Sequence, residues 1–315
     1  MSIDELDSTV IKLVWSLDHS DEPSSVRRLS GNSHRVYECT SADGHSSIMR
    51  LADPSRARFN TEAAIIDRCG AEGLPVPRVL YSGTVDVADQ AVAVMVQAKA
   101  DGVTLTQAAA ERGLDRSAEL VVGAGELLAR IHAIKTTGFG PVDGALHGQA
   151  EDFDIWFIDG LATKLESARR IAADASDLVD QAAVLLEQHR PLLQTSEATL
   201  CHGDFSPNNI LANDDGITAV IDWESAKSGP PGLDIGWWDC FFETPLTPVD
   251  ALIEGYERIT RLDHATLDAV RHLCVLRVMV GHFTWTLSIG DDAGVELARK
   301  RLTDEVASAH TWAPN

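Results

Sequence analysis

Residues 202–209 read His-Gly-Asp-Phe-Ser-Pro-Asn-Asn, and thirteen residues beyond Asn209 an apolar run ends in Asp222, in the context Ala-Val-Ile-Asp-Trp-Glu. The connection constrains the fold most. Residues 209–214 (Asn-Ile-Leu-Ala-Asn-Asp) and 217–222 (Ile-Thr-Ala-Val-Ile-Asp) have the composition of two short strands flanking Asp215-Gly216. Asp-Gly is the preferred two-residue hairpin turn of type I′, because both central positions need positive φ. With that dipeptide as the whole loop, Asp214 pairs with Ile217 and Asn209 stands opposite Asp222. Opposed residues of an antiparallel pair share a face, with β-carbons about 4.5–5.5 Å apart. An amide oxygen and a carboxylate would then converge on one hard cation. Mg2+ is such a cation, taking few protein ligands and completing its shell with phosphate oxygens. Asp204, five residues before Asn209, is spaced to meet an attacking hydroxyl as a catalytic base, since phosphoryl transfer depends on positioning that hydroxyl as much as on removing its proton.

This pattern resembles the aminoglycoside phosphotransferase family, small-molecule kinases that share the protein-kinase-like fold. Its signature, H-G-D-x-x-x-x-N followed by a short hairpin ending in an aspartate, is met by His202, Gly203, Asp204, Asn209 and Asp222, with Ile221 and Trp223 flanking the last. The resemblance extends over roughly 24–290 of the chain. It implies an α+β, two-lobed fold: a small antiparallel β-sheet lobe and a larger, mainly helical lobe. It also implies ATP or GTP as phosphoryl donor, Mg2+ held by Asn209 and Asp222, and Asp204 as base. His202 and Asp234 would then support the catalytic loop rather than react. Gly31, Asn32 and Ser33 lie where the kinase fold lays a loop over the nucleotide, and Gln97 and Ala98 belong to the segment expected to line the base pocket.

Arg50 and Glu62 form a second constellation. Glu62 shares a helical stripe with Ile65, Ile66 and Cys69 and so should point inward. A buried carboxylate needs a partner, and Arg50, in the run Ser-Ile-Met-Arg-Leu that ends the third predicted strand, is the candidate. In the family this strand position carries a phosphate-contacting lysine or arginine. An acid in a helix's first turn is also favoured by the helix dipole alone.

The pattern before residue 98 is β-rich with one helix. Strands are predicted at 26–30, 35–40, 46–51, 78–82 and 91–97, and a helix capped by Asn60 runs to about Gly70 before Gly73-Leu74-Pro75 breaks it. After Gly102 the chain turns helical: Leu120, Val121, Ala124, Leu127, Leu128 and Ile131 fall at helical spacing. Further helices are expected near 154–172, 174–190, 248–260, 264–289 and 292–309. The division is therefore placed at 98/99, with a nucleotide-binding lobe over 1–98, a catalytic and acceptor-binding lobe over 99–315, and a hinge at 97–102.

With 26 basic against 48 acidic residues the formal net charge is −22, which disfavours nucleic acid and anionic membranes as partners. The five cysteines are scattered without a C-x-x-C pair, so neither a disulfide framework nor a zinc site follows. The acidic N-terminus is unlike a signal peptide, and a cytoplasmic location is the default expectation. The oligomeric state is not legible. The acceptor is expected to be a small hydroxylated molecule. Asp154, Trp156, Glu224 and Asp239, acids and an aromatic ring, would suit a cationic one such as an aminoglycoside through charge and cation–π contact. A sugar, an amino alcohol or another metabolite is the alternative, as is a nucleotide-binding regulator without turnover.

Overall fold

Five strands, β1 (Ser25–Leu29), β2 (Arg35–Thr40), β3 (Ser46–Ala52), β4 (Val79–Val87) and β5 (Gln90–Ala98), pair antiparallel in the order β1-β2-β3-β5-β4. Period-two alternation gives this sheet two buried faces. Met49, Leu51, Val92, Val94 and Val96 point to one face, where α1 (Ile3–Trp15) covers them with Leu6, Val10, Ile11, Val14 and Trp15. Ala52, Ala93 and Met95 point to the other, against Phe59 and Ala63 of α2 (Phe59–Ala71). Arg50 lies between Met49 and Leu51 in β3 and therefore faces α2, which is the reason it can meet Glu62. Each large apolar side chain so buried contributes about 1.5–3 kcal/mol.

The sequence reading, whose first predicted element is the strand at 26–30, missed α1. The helix is fastened by Asp7, which is buried and accepts hydrogen bonds from Arg35 Nε (2.8 Å) and the Tyr37 hydroxyl (2.6 Å). Asn60 does not cap α2. The helix begins one residue earlier, and the Asn60 Oδ1 accepts instead from the Ser82 hydroxyl.

The computed structural model describes residues 3–29, 34–161, 165–167, 170, 176–194 and 197–309. It resolves the chain into two compact units, Met1–Gly102 with Thr218–Glu224, and Val103–Ile217 with Ser225–Asn315. A boundary at 98/99 thus omits 218–224 from the first unit. That segment is tied there by hydrogen bonds from Val220 N to Pro75 O, from the Thr218 hydroxyl to Asp101 O, and from Trp223 N to Glu62 Oε1.

In the second unit β6 (Val103–Thr104) leads into α3 (Leu105–His132), with Thr104 as N-cap. Strands β7 (Phe139–Val142), β8 (Gly148–Ala150), β9 (Thr199–Cys201) and β12 (Lys227–Gly229) form a sheet in the order β8-β7-β12-β9. The helices α4 (Ser176–Gln188), α5 (Gly232–Phe242), α6 (Val249–Ile259), α7 (His264–Ile289) and α8 (Asp292–Ser308) follow. Helix α5 was not anticipated, and only part of the helix expected at 154–172 falls among the described residues, beginning with a π-helical turn at Ile155–Asp159. Gly125 of α3 and Gly255 of α6 permit a close crossing, since a Cβ on Gly255 would lie 1.9 Å from Val122 O. That crossing places His132 of α3 beside Tyr256 of α6, ring nitrogen to hydroxyl 3.1 Å. Among the described residues no helix is long and apolar enough to cross a membrane.

The hairpin differs from the expected one. Strands β10 (Ile210–Asn213) and β11 (Gly216–Val220) put the turn at Asp214-Asp215, one residue early, and Asp215 does not have positive φ. An Asx turn explains the shift: the Asn213 side chain accepts from Asp215 N at 2.9 Å and so sets the bend locally. Arg112 and Arg116 then hold it, donating to Asn213 O, Asp214 Oδ1 and Asp214 O. As a result Asn209 precedes its strand and Asp222 lies two residues past the other. The cross-strand opposition of these residues is therefore not the local geometry. Asp222 instead adopts φ +65°, a left-handed conformation that costs a non-glycine residue about 1–3 kcal/mol and persists where surroundings impose it.

Candidate active site

In the second unit, β9 delivers the His202-Gly203-Asp204 loop and β12 runs antiparallel beside it, with Lys227 opposite Cys201. Gly203 has φ +82°, and a Cβ there would lie 2.1 Å from Ser225 O and 2.4 Å from Lys227 Cε. Only glycine fits both restrictions. The loop is held from below by Asp234, which is fully buried. Its Oδ1 accepts from Gly203 N (2.7 Å), and its Oδ2 accepts from His202 N (2.8 Å) and faces His132 Nε2 (3.1 Å). Burial alone would raise the Asp234 pKa. The His132 hydrogen bond, the electrostatic pull of the neighbouring imidazoles and the Gly203 amide outweigh it and bring the carboxyl below its usual range.

This has a testable consequence. A carboxyl with a depressed folded pKa contributes stability that is present above its unfolded pKa and is lost as pH falls through the folded value. Asp234→Asn is expected to cost about 3–5 kcal/mol at neutral pH, the effect of breaking a buried charged network. The gap to wild type should narrow in acid below about pH 4. Denaturant unfolding at the two pH values measures it, and a pH-independent gap would contradict the assignment.

Asp204 is half-buried, and both of its carboxylate oxygens are engaged. Trp237 Nε1 donates to Oδ1 (2.7 Å) and Asn209 Nδ2 to Oδ2 (3.0 Å), while the same amide nitrogen also reaches Asp204 O (2.9 Å). Asn209 thus spends its donor on Asp204. Its Oδ1 meets no hydrogen-bond donor among the described residues and is left as a hard acceptor. The neighbouring Asn208 is exposed, and its oxygen already accepts from the Thr106 hydroxyl. The His202 ring is buried, and its Nδ1 accepts from Asp204 N at 3.3 Å, a backbone contact within the loop.

The first unit carries the other group. Arg50 Nη1 donates to Glu62 Oε1 (2.5 Å), and Nη2 donates to Asp222 Oδ1 (3.1 Å) and Glu224 Oε2 (3.2 Å). Burial opposes the Arg50 charge, yet these three carboxylates outweigh it and hold its pKa above the usual arginine value. Burial raises the Glu62 pKa, although Arg50 pulls the other way. One guanidinium facing three carboxylates leaves an excess of hard oxygen donors, the donor set that suits Mg2+. Glu62 Oε2 and Gln97 Nε2 are buried polar atoms without hydrogen-bond partners among the described residues. Ala98 N donates to Arg78 O, so that amide is committed within the unit and not open to a purine. Gly31, Asn32 and Ser33 lie outside the described residues.

The acceptor-site candidates separate. Asp154 pairs with Arg190 (3.2 Å), Asp239 with Arg271 (3.1 Å) and Arg301 (2.9 Å), and Glu224 with Arg50 and His34. Each acid is therefore met by a cation of the protein. Trp156 lines a cleft of about 310 Å3 in the second unit, with Gly203, Lys227, Trp237, Arg277 and Trp285.

Three of these residues escaped sequence reasoning. Trp238 is fully buried, but Trp237 is only partly so and touches Asp204. Its spacing three residues after Asp234 puts both on one helix face, a signal that was available. Arg277 lies on a stripe with Cys274, Val278, Gly281, His282 and Trp285, all cleft-lining, and that helical spacing was equally legible. Lys227 carries no local signal, because its place depends on β12 pairing with β9.

A sequence model of the APH phosphotransferase enzyme family matches residues 25–273. The hygromycin-B 4-O-kinase of Escherichia coli is 25% identical over 252 residues, covering 76% of this chain and 68% of that one. Among solved structures, a thermostable mutant of aminoglycoside phosphotransferase APH(4)-Ia in ternary complex with AMP-PNP and hygromycin B superposes with a TM-score of 0.76 at 23% identity, covering 95% of this chain and 98% of that one. An amicoumacin kinase in complex with AMP-PNP, Ca2+ and Ami gives 0.69 at 14% identity, covering 99% and 100%. These likenesses show the protein-kinase-like fold.

Proposed function

The chain belongs to the APH phosphotransferase enzyme family, and from that premise we propose that it moves the γ-phosphate of ATP or GTP, with Mg2+, to a hydroxyl of a small molecule. A phosphotransferase acting on a hydroxyl group needs an oriented proton acceptor. The observation that carries the reading is Asp204, whose two oxygens are held by Trp237 and Asn209.

In this mechanism Asp204 receives the acceptor hydroxyl as a hydrogen-bond donor, aims it along the line of attack and takes its proton. Such positioned bases contribute about 10^2–10^4-fold. Trp237 and Asn209 fix the carboxylate so that no reorganisation accompanies transfer. Asp234, through the 202–203 amides, keeps the loop in place. Asp222 and Asn209 would hold Mg2+, which when bound neutralises charge on the β- and γ-phosphates. Arg50, fixed by Glu62, adds a permanent positive charge at the phosphate end. Relatives whose names specify hygromycin B and amicoumacin support a small hydroxylated acceptor.

The test is direct. Purified protein is incubated with Mg·ATP or Mg·GTP and separate panels of aminoglycosides, sugars, amino alcohols and hydroxy acids. Nucleoside diphosphate release and a new phosphomonoester signal in phosphorus NMR are expected with at least one panel member. Tight nucleotide binding without product across all panels would replace the kinase by a nucleotide-binding regulator.

A further inference from the structure

The cleft beside the Asp204 loop runs against the charge of the chain. The sequence carries −22 overall, yet among the described residues the formally charged side chains lining this cleft are two cations, Lys227 and Arg277, and no carboxylate. Arg277 donates its Nε to Phe157 O (2.7 Å) and lies over the Trp156 ring, 4.6 Å from its centroid. Among the described residues Lys227 reaches only Gly203 O, at 3.4 Å. Among the described residues neither has a carboxylate within ion-pair distance. Asp234, which opposes the desolvation of Lys227, already spends both oxygens on His132 and the 202–203 amides. Burial at the base of the cleft weakens both cations, pulling the pKa of each below its usual value. A partially desolvated cation without a counter-ion is costly, and an incoming anion relieves that cost.

Four aromatic rings, Trp156, Trp237, Phe241 and Trp285, share the rest of the lining with small and aliphatic residues and His282. Rings of this kind cover the apolar face of a compact ligand, and about 310 Å3 lies at the small end of ligand cavities. The acids suited to draw an ammonium group, Asp154 and Asp239, are neutralised by Arg190, Arg271 and Arg301. An ammonium in this cleft would face two like charges, which acts as discrimination against it.

We propose that the acceptor is a small hydroxylated molecule bearing a carboxylate, such as a sugar acid or an aromatic hydroxy acid glycoside, and that Lys227 and Arg277 are the specificity-determining residues that receive it. The proposal rests on the kinase reading for the word acceptor, but the anion preference of the cleft does not. The guanidinium supplies a fork matched to a carboxylate and the ammonium a point charge, while the aromatic rings hold the body of the molecule with a hydroxyl toward Asp204.

Three probes with one frame and different charge test this: phenyl glucuronide, phenyl glucoside and phenyl 2-amino-2-deoxyglucoside, each titrated against the intact protein by tryptophan fluorescence. The glucuronide is expected to bind at least about tenfold tighter than the amine, the equivalent of one charge-assisted contact, with the neutral glucoside between them. Lys227→Met and Arg277→Met should each bring the glucuronide's affinity close to that of the glucoside. Equal affinities, tighter binding of the amine, or no saturable signal from any probe up to about 10 mM would overturn the proposal. The wild-type order needs no variant to fold. Release of ADP is scored separately: product formed on amines alone sinks this inference and leaves the kinase reading, whereas the expected order of binding with no ADP from any acceptor sinks the kinase reading and leaves the anion cleft.

Discussion

Asp204→Asn is expected to lower phosphoryl transfer by about 10^2–10^4-fold while leaving Mg·nucleotide affinity within about twofold of wild type, the pattern of a lost general base. The substitution is nearly isosteric. It keeps an oxygen for one of the two donors, Trp237 Nε1 or Asn209 Nδ2, that now hold the carboxylate, so the loop should stay formed. What it removes is the negative charge that orients and then accepts the hydroxyl proton. Single-turnover transfer and equilibrium nucleotide binding, measured on the same sample, separate the two roles. If nucleotide affinity falls in step with the rate, Asp204 is a metal ligand and the assignment of base and ligand has been exchanged.

Asp222→Asn should have the opposite signature, weakening Mg-dependent nucleotide affinity and transfer together, the latter by on the order of 10^2–10^3-fold, as for removal of one electrostatic stabiliser. The side chain is 38% exposed, and its Oδ1 meets Arg50. An asparagine can keep that contact but carries no charge for a cation. The left-handed backbone at this position, φ +65°, is tolerated by asparagine at least as well as by aspartate, so folding should not be the cause of any loss. Titrating Mg2+ at fixed nucleotide measures the effect. A variant with wild-type Mg2+ dependence would show that Asp222 serves the Arg50 cluster and not a metal.

Local patterns were legible because they depend on neighbours in the chain. Alternation in 35–40, 46–51 and 91–97 identified the strands of the first sheet, and helical spacing identified α2, most of α3, α6, α7 and α8. Where local chemistry competes, the reading slipped. Asp215-Gly216 is a good type I′ turn in isolation, but the Asn213 side chain captures Asp215 N and two arginines from α3 hold the bend one position earlier. Asn60 had the right side chain for a cap but found Ser82. In both cases the deciding hydrogen bond was not one that the predicted element contains.

The candidate site divides in the same way. The order His202-Gly203-Asp204, the spacing to Asn209 and Asp222, and the pairing of Arg50 with an inward-facing Glu62 follow from residue type and period, so the sequence alone determined the class of chemistry. It could not determine that Asp222 and Glu224 share Arg50 with Glu62, that Trp237 steadies Asp204, or that Asp154 and Asp239 are already neutralised. Nor could it place Lys227 and Arg277, 50 residues apart in the chain, on the lining of one cleft. Charge counted along a chain says what is present; which charges cancel and which remain to face a ligand depends on distances across strands and helices far apart in sequence, and those are set only when these elements pack.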